Sequence, residues 1–235
     1  MKLMVLSIII SMFSYVNASA AIGSVELFKG TVKIKNESSI KKNRVTLGQE
    51  VLAGDMIISS KNASVKLKLT DGSVLILDEK STIHFSSLSE AEQVEGKVLY
   101  KITSRDSKNS LKVKTPFAII GIKGTTFIIN ATENSSVSLQ EGLIGVSAID
   151  AEFELYRKKV QKEFDDYLSE QDLAFEEFKN EQDKYAIAEP TKEFDLEAGN
   201  KISFNGLSVN EDAFDKDDNS DFEYFEALIK DMTSN

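Results

Sequence analysis

The 235-residue chain contains no cysteine and no tryptophan, one histidine and two prolines. Absence of Cys excludes disulfides, thiol nucleophiles, Cys/His zinc sites and the usual acceptor of a bacterial lipid anchor. The one histidine, His84, alternates with Ile83 and Phe85 and so faces away from both, a surface position rather than that of an acid or base. Carboxylates are plentiful, but none sits in an apolar run that would raise its pKa into a catalytic range. The segment Gly121-Ile122-Lys123-Gly124-Thr125 has neither the glycine spacing nor the Lys-Thr order of a phosphate loop. A basic surplus is missing too: the formal net charge is −10 at pH 7, adverse to nucleic acid. Without Trp, and with three of the six Tyr in one later stretch, an aromatic glycan platform is not expected. The chain reads as no enzyme.

Apolar runs long enough to cross a bilayer are absent as well. Leu3–Phe13 is mostly apolar but short, follows Met1-Lys2, and precedes Ala18-Ser19-Ala20, a small-x-small cleavage pattern. Residues 1–20 therefore read as a secretory signal peptide, placing the mature protein in the periplasm, secreted or at the cell surface, without stable membrane insertion. Charge is uneven along what remains. Residues 21–150 carry a net +3, residues 151–189 a net −6, and residues 190–235 a net −8. Such a polarity favours self-association or a cationic partner.

What the front does contain is a run of short alternating segments. Val25, Leu27, Val32 and Ile34 are expected to share inward faces around Gly30, in a hairpin or corner. Val65, Leu67 and Leu69 alternate with Lys66, Lys68 and Thr70, and Asp71-Gly72 is a tight-turn dipeptide. Val94–Ile102 puts Gly96, Val98 and Tyr100 on one face and Lys97, Leu99 and Lys101 on the other. Turns recur roughly every 8 to 12 residues, as in all-β proteins. The stretch Lys112–Ile129 joins two such runs through Pro116, Gly121 and Gly124, a strand–corner–strand signal in which both glycines are expected to be structural.

The ordered series Gly23 with Val25, Gly30 with Val32, Leu52 with Gly54-Asp55, Ser64 with Leu67 and Leu69, and Asp71-Gly72-Ser73 resembles the FecR-domain family of bacterial extracytoplasmic proteins. The series continues with Thr115-Pro116, Gly121, Gly124-Thr125, Phe127 and Glu141-Gly142. The family usually places Arg where this chain has Lys123, which keeps the charge and loses the planar fork. The resemblance implies a mainly β fold, an antiparallel short-strand sandwich or roll over residues 21–150. It implies structural roles for Gly54, Asp55, Asp71, Gly72, Pro116, Gly121, Gly124 and Thr125. The better understood members resemble regulators of extracytoplasmic-function sigma factors, built as a cytoplasmic region, a transmembrane helix and this domain. A cleavable signal in place of the first two makes a direct sigma-regulator role unexpected here.

From Ala151 the apolar period changes to steps of three and four (Phe153, Tyr156, Val160, Phe164, Tyr167), which predicts a long amphipathic helix or helical hairpin over residues 151–189, inserted in the β-domain. Its aromatic stripe either packs on the β-domain or serves a protein partner or self-association in coiled-coil fashion. Residues 190–206 read as a return hairpin completing the β-domain, and residues 207–235 as an acidic tail with a short helix. Within that tail, Asp215, Asp217, Asn219, Asp221, Glu223 and Glu226 fall at calcium-loop positions, with Ser220 where the loop requires Gly. Ca2+ is thus a possible ligand; no other cofactor is indicated. Two functions fit: a noncatalytic secreted interaction or scaffold protein, or a periplasmic sensor acting through a separate membrane partner. Protein recovered from the cell envelope is expected to begin at Ala21, and an intact mass that retains residues 1–20 would refute the leader.

Overall fold

The computed structural model describes residues 21–103, 110–157 and 188–234. The fold is mainly β, and its strands form two layers. Sheet A contains, from edge to edge, β4 (Glu50–Leu52), β1 (Ala21–Lys29), β6 (Ser64–Leu69), β7 (Val74–Leu77), the second half of β9 (Glu90–Lys101), β12 (Thr126–Ala131) and β13 (Ser136–Glu141). It continues through β18 (Asn200–Asn205), β19 (Ser208–Ala213), β15 (Phe153–Arg157) and β16 (Glu189–Thr191). Sheet B runs β3 (Lys42–Arg44), β2 (Val32–Lys35), β5 (Met56–Ser59), β8 (Thr82–Ser87), the first half of β9, β10 (Leu111–Lys114), β11 (Ile119–Ile122), β14 (Leu143–Ser147) and β17 (Glu193–Glu197). Pairing is antiparallel except for β9–β10 and β15–β19.

The chain repeatedly turns a corner from one layer to the other between hairpins such as β6–β7, β10–β11 and β12–β13. Val25, Val32, Ile57, Val65, Ile83, Val98, Phe127 and Val146 come from both layers and share one apolar core. The corner is sharpest inside β9, which crosses from sheet B to sheet A at Gly96 without a break in the strand. Gly96 has φ +89°, and a Cβ there would sit 2.4 Å from Ser81 Cα. Both the backbone conformation and the approach of Ser81 require glycine. Around the bend a buried polar network replaces the missing ladder bonds. Gln93 Nε2 donates to Gly96 O at 2.9 Å and Ile129 O at 3.2 Å, and its Oε1 accepts from Tyr100 Oη at 2.8 Å. Tyr100 stacks on Phe127 with centroids 4.8 Å apart, and burial pushes its phenol far above the ordinary range. Left-handed glycines mark other crossings, at Gly30, Gly54, Gly124, Gly142 and Gly199.

Several expectations are corrected. Leu27 does not face the main core with Val25, because a bulge between them turns Leu27 to the outer side of sheet A. Gly121 lies in ordinary strand backbone within β11, and an added Cβ would meet only Gly145 O at 3.8 Å, so no corner strain exists there. The helix expected over residues 151–189 does not begin at Ala151. Phe153 and Leu155 are buried at alternate positions of β15, so a period of two prevails where the helical stripe seemed to start. Residues 158–187, which hold most of that stripe, lie outside the described residues. Pro190 belongs to β16, which among the described residues pairs with β15 alone and so tolerates a missing N–H. Residues 190–206 are not a hairpin: β17 joins sheet B and β18 joins sheet A, with Gly199 at the crossing. The hairpin is β18–β19, closed by Gly206-Leu207, so the segment expected as an acidic tail from residue 207 begins with a strand.

Gly96→Ala is expected to lower the melting temperature by about 5 °C or more, from left-handed strain and contact with Ser81. Gly121→Ala should stay within about 2 °C of the parent. Calorimetric melts of the two variants test this, and equal melting temperatures would refute it.

Candidate interaction surface

The outer face of sheet A carries an apolar strip. Ile76, Leu99 and Ile128 stand in one register row on β7, β9 and β12, with Leu27 and Lys66 at one end and Ser138 and Lys201 at the other. Three adjacent apolar residues on the wet side of a sheet require a cover. The C-terminal helix α1 (Lys216–Thr233) supplies it through Phe222, Phe225 and Met232, with Phe214, Leu228 and Ile229 at the margin. Phe225 is fully buried. Lysines beside the strip fix the helix: Lys29 pairs with Asp231 at 2.6 Å, Lys97 with Asp221 at 2.9 Å, Lys201 with Asp218 at 2.6 Å, and Lys101 with Glu226. The Lys29–Asp231 and Lys101–Glu226 pairs are exposed, so each contributes little and is screened by salt, while the other two are half-buried. The apolar contacts hold the helix, and the charges set its register.

This arrangement replaces the calcium loop expected over residues 215–226. Asp215 caps α1 by accepting from Asp218 N at 2.9 Å, while Asp218 Oδ2 accepts from Asp215 N at 3.2 Å. That reciprocal box starts a helix at Lys216, and helical geometry points Asp217, Asn219, Asp221, Glu223 and Glu226 around the axis instead of toward one centre. Asp218, Asp221 and Glu226 are also engaged by lysines. Among the described residues, no group of three or more His, Cys, Asp or Glu side chains could hold a metal ion. The cues for α1 were present in the sequence: Asp215 and Asp218 at box spacing, then Phe222, Phe225, Ile229 and Met232 at helical steps. What the sequence did not reveal was the lysine set, because its members lie on strands far apart in the chain.

The other expected structural residues occupy corners and turns. Asp55 is buried, accepting from Asn36 Nδ2 at 2.8 Å and Leu52 N at 2.9 Å, beside Gly54 at φ +88°. Asp71 holds the turn at Gly72 by accepting from Ser73 N at 3.0 Å and Ser73 Oγ at 2.9 Å. Thr115 Oγ1 accepts from Ala118 N at 2.9 Å around Pro116. Thr125 is buried next to Gly124, and its Oγ1 has no hydrogen-bond partner among the described residues. His84 lies on the outer face of sheet B, in register with Met56 and Glu92.

Sheet B presents a different surface. Its edge strand β3 is exposed throughout, and its register with β2 pairs Lys33 with Arg44 and Lys35 with Lys42. Lys41 precedes it, and Ile40 at the tip is 98% exposed. None of these five cations pairs with a carboxylate among the described residues, whereas Lys29, Lys66, Lys97, Lys101, Lys114 and Lys201 all do. The opposite edge, β17, carries Glu193, Asp195 and Glu197 on exposed positions. Two of its carbonyls are already taken: Thr191 Oγ1 donates to Glu193 O and Arg157 Nη2 to Asp195 O. The basic edge is thus the less engaged of the two.

Residues 55–145 match the family model described as FecR protein. The chain contains a FecR domain. The matched segment runs from the start of β5 into β14, the central block of both sheets. Outside it, β1 and β2 extend the FecR block at one side by pairing with β6 and β5, and β17 and β18 extend it at the other by pairing with β14 and β13. No curated protein matches the chain. Crystal structures at 1.65 Å and 2.50 Å of a "putative anti-sigma factor" from Parabacteroides distasonis ATCC 8503 are similar to it, each with 15% identity and a TM-score of 0.46. Each match covers 68% of this chain, which spans 60% of the length of those structures. Among the described residues no helix is long and apolar enough to cross a membrane.

Truncating Phe225 to Ala is expected to loosen α1 by about 2–4 kcal/mol, raising hydrogen exchange along residues 216–233 but not in β9 and β12. Docking should also depend on pH at both extremes. Backbone hydrogen bonds from Asp218, and then from Asp217, hold the Asp215 carboxyl below its ordinary 3.8, so its stabilisation is complete above that value and vanishes as the pH falls through the lowered one. Burial alone would depress the Lys201 ammonium, but the hydrogen bond and charge of Asp218, with Asp215 and Asp221 beyond, leave it above 10.5. That contribution is complete below 10.5 and disappears as the pH rises past the raised value. Exchange rates for α1 that are flat across both limits would refute the capping and the Lys201 pairing.

Proposed function

We propose that this protein is a noncatalytic, extracytoplasmic interaction or scaffold protein that engages an acidic protein partner through the basic edge of sheet B. One observation carries the reading: Lys33, Lys35, Lys41, Lys42 and Arg44 gather at an edge strand and tip, paired with no carboxylate among the described residues, in a chain whose overall charge is −10. Lysine at a sheet edge also deters edge-to-edge aggregation. Four cations on two adjacent strands and a fifth, Lys41, in the connection between them, with an exposed isoleucine at the tip, exceed what that protection needs. Exposed charge of one sign on a sheet edge steers a partner of the opposite sign. The leader at residues 1–20 supports a site of action in the periplasm or outside the cell. The aromatic stripe from Phe164 to Tyr185 supports a second protein contact or self-association.

A second reading is a sensor or signal-transduction component working through a separate membrane partner, supported by the FecR match over residues 55–145. One experiment separates the two. A photo-crosslinking residue is placed at Asn43 in the producing cell, and the captured protein is identified. The triple variant Lys35→Glu, Lys42→Glu, Arg44→Glu is expected to reduce the adduct about tenfold or more while leaving the thermal melt unchanged, since exposed charges steer association more than they support the fold. An integral membrane protein in the adduct favours signalling. A soluble acidic protein or an envelope assembly favours the scaffold. An adduct that the charge reversal leaves intact refutes the basic edge as the docking surface.

A further inference from the structure

We propose that the cleft between α1 and the Asn62–Ser64 corner is a receptor for an organic cation, an ammonium or guanidinium group carried on an apolar stem. The cleft has a volume of about 370 Å³ and lies on the sheet A side, apart from the basic edge. Its floor holds Ser64, which is only 3% exposed and whose hydroxyl has no hydrogen-bond partner among the described residues. Ser64 stands opposite Lys29 in the β1–β6 register, and directly paired residues share a face. Lys29 reaches up to Asp231 of α1, so the Ser64 side chain stands on the same side of the sheet, at the base of the cleft it helps to line. A hydroxyl buried without a partner is destabilising unless a ligand supplies one.

The walls favour positive charge. Asp78, Glu79 and Asp231 line the cleft against Lys29 alone, a surplus of two negative charges. Asp78 Oδ1 accepts from Tyr224 Oη at 2.8 Å and from Glu79 N at 2.7 Å, and Glu79 Oε2 accepts from Asn62 N at 2.5 Å. Each carboxylate is therefore held in place by one oxygen, while Asp78 Oδ2 and Glu79 Oε1 have no protein donor among the described residues. Tyr224, 45% exposed, and Leu228 add an aromatic and an aliphatic surface beside these oxygens. Fixed acceptors next to an aromatic ring and an apolar wall match a cationic head on a hydrocarbon stem. The acidic groups do not form a metal-holding set, which points to an organic cation.

Such a head could belong to a small free amine or to an arginine or lysine side chain of another protein, and the probes distinguish these sources. The isotope-labelled mature chain is titrated at constant ionic strength with agmatine, with N-acetyl-arginine amide and with the neutral N-acetyl-citrulline amide, following the amides of Asn62, Ser64 and Tyr224. Saturable shifts with the two cations and none with the citrulline compound are expected. Tighter binding of agmatine assigns the site to free amines; tighter binding of the arginine amide assigns it to a protein side chain. Glu79→Gln keeps the acceptor for Asn62 and should weaken binding about tenfold, the loss of one charge-assisted hydrogen bond. Ser64→Ala should weaken it about threefold, whereas a merely unsatisfied hydroxyl would leave affinity unchanged. Equal shifts with citrulline, shifts that never saturate, or full affinity in Glu79→Gln would overturn the proposal. None of these outcomes bears on the basic edge, which lies on the other sheet.

Discussion

The bend in β9 is the constraint on which both layers depend. One strand gives its first half to sheet B and its second half to sheet A, so the angle between the sheets is set where β9 turns. Bending a strand leaves backbone groups without their ladder partners, in the interior where water cannot replace them. Gln93 answers this with its buried amide, satisfying Gly96 O and Ile129 O while Tyr100 Oη satisfies Gln93 in turn. Ser81 packs against Gly96 from outside the bend and accepts from Lys97 N at 3.1 Å. A buried network of this kind is strong only when every member is paired, because an orphaned amide in the core is more unfavourable than an apolar residue of the same shape.

From that bend follows the division of the surface. Sheet A turns an apolar strip outward and must cover it, and the acidic C-terminal helix does so. Burying each of Phe222 and Phe225 contributes about 1.5–3 kcal/mol by area, more than any of the flanking ion pairs, most of them partly exposed. The lysines of sheet A nevertheless decide which way the helix lies, since four acidic residues along α1 meet four lysines drawn from β1, β9 and β18. Four lysines of sheet A are engaged in this way. Positive charge at the β3 edge of sheet B is not, and the contrast separates a structural use of lysine from one available to a partner.

The sequence was a good guide wherever the cause was local. Alternation at Val65, Leu67 and Leu69 and the turn at Asp71-Gly72 translate directly into β6, a two-stranded connection and β7, because neighbouring residues alone set side-chain direction and turn geometry. Local reasoning failed where two periods overlapped or one residue was inserted. Phe153 and Tyr156 suit a helical step, but Phe153 and Leu155 suit a strand, and pairing with β19 decides between them. The bulge after Val25 reverses the face of Leu27, a change no alternation pattern can announce. Acidic residues at loop spacing in the tail suggested a cation, yet the same Asp215 and Asp218 make a helix cap that depends only on backbone N–H groups three residues away.

By itself, the sequence determined the β character of the chain, its turns, its FecR resemblance and the absence of thiol chemistry, since these follow from composition and from interactions within a few residues. Only the tertiary structure decided which strands cross between the layers, that the acidic tail is a helix seated on sheet A, and which lysines remain unpaired. Those outcomes rest on contacts between residues far apart in the chain, such as Lys29 with Asp231 and Lys97 with Asp221, whose register is fixed by the pairing of whole strands rather than by any neighbour in sequence.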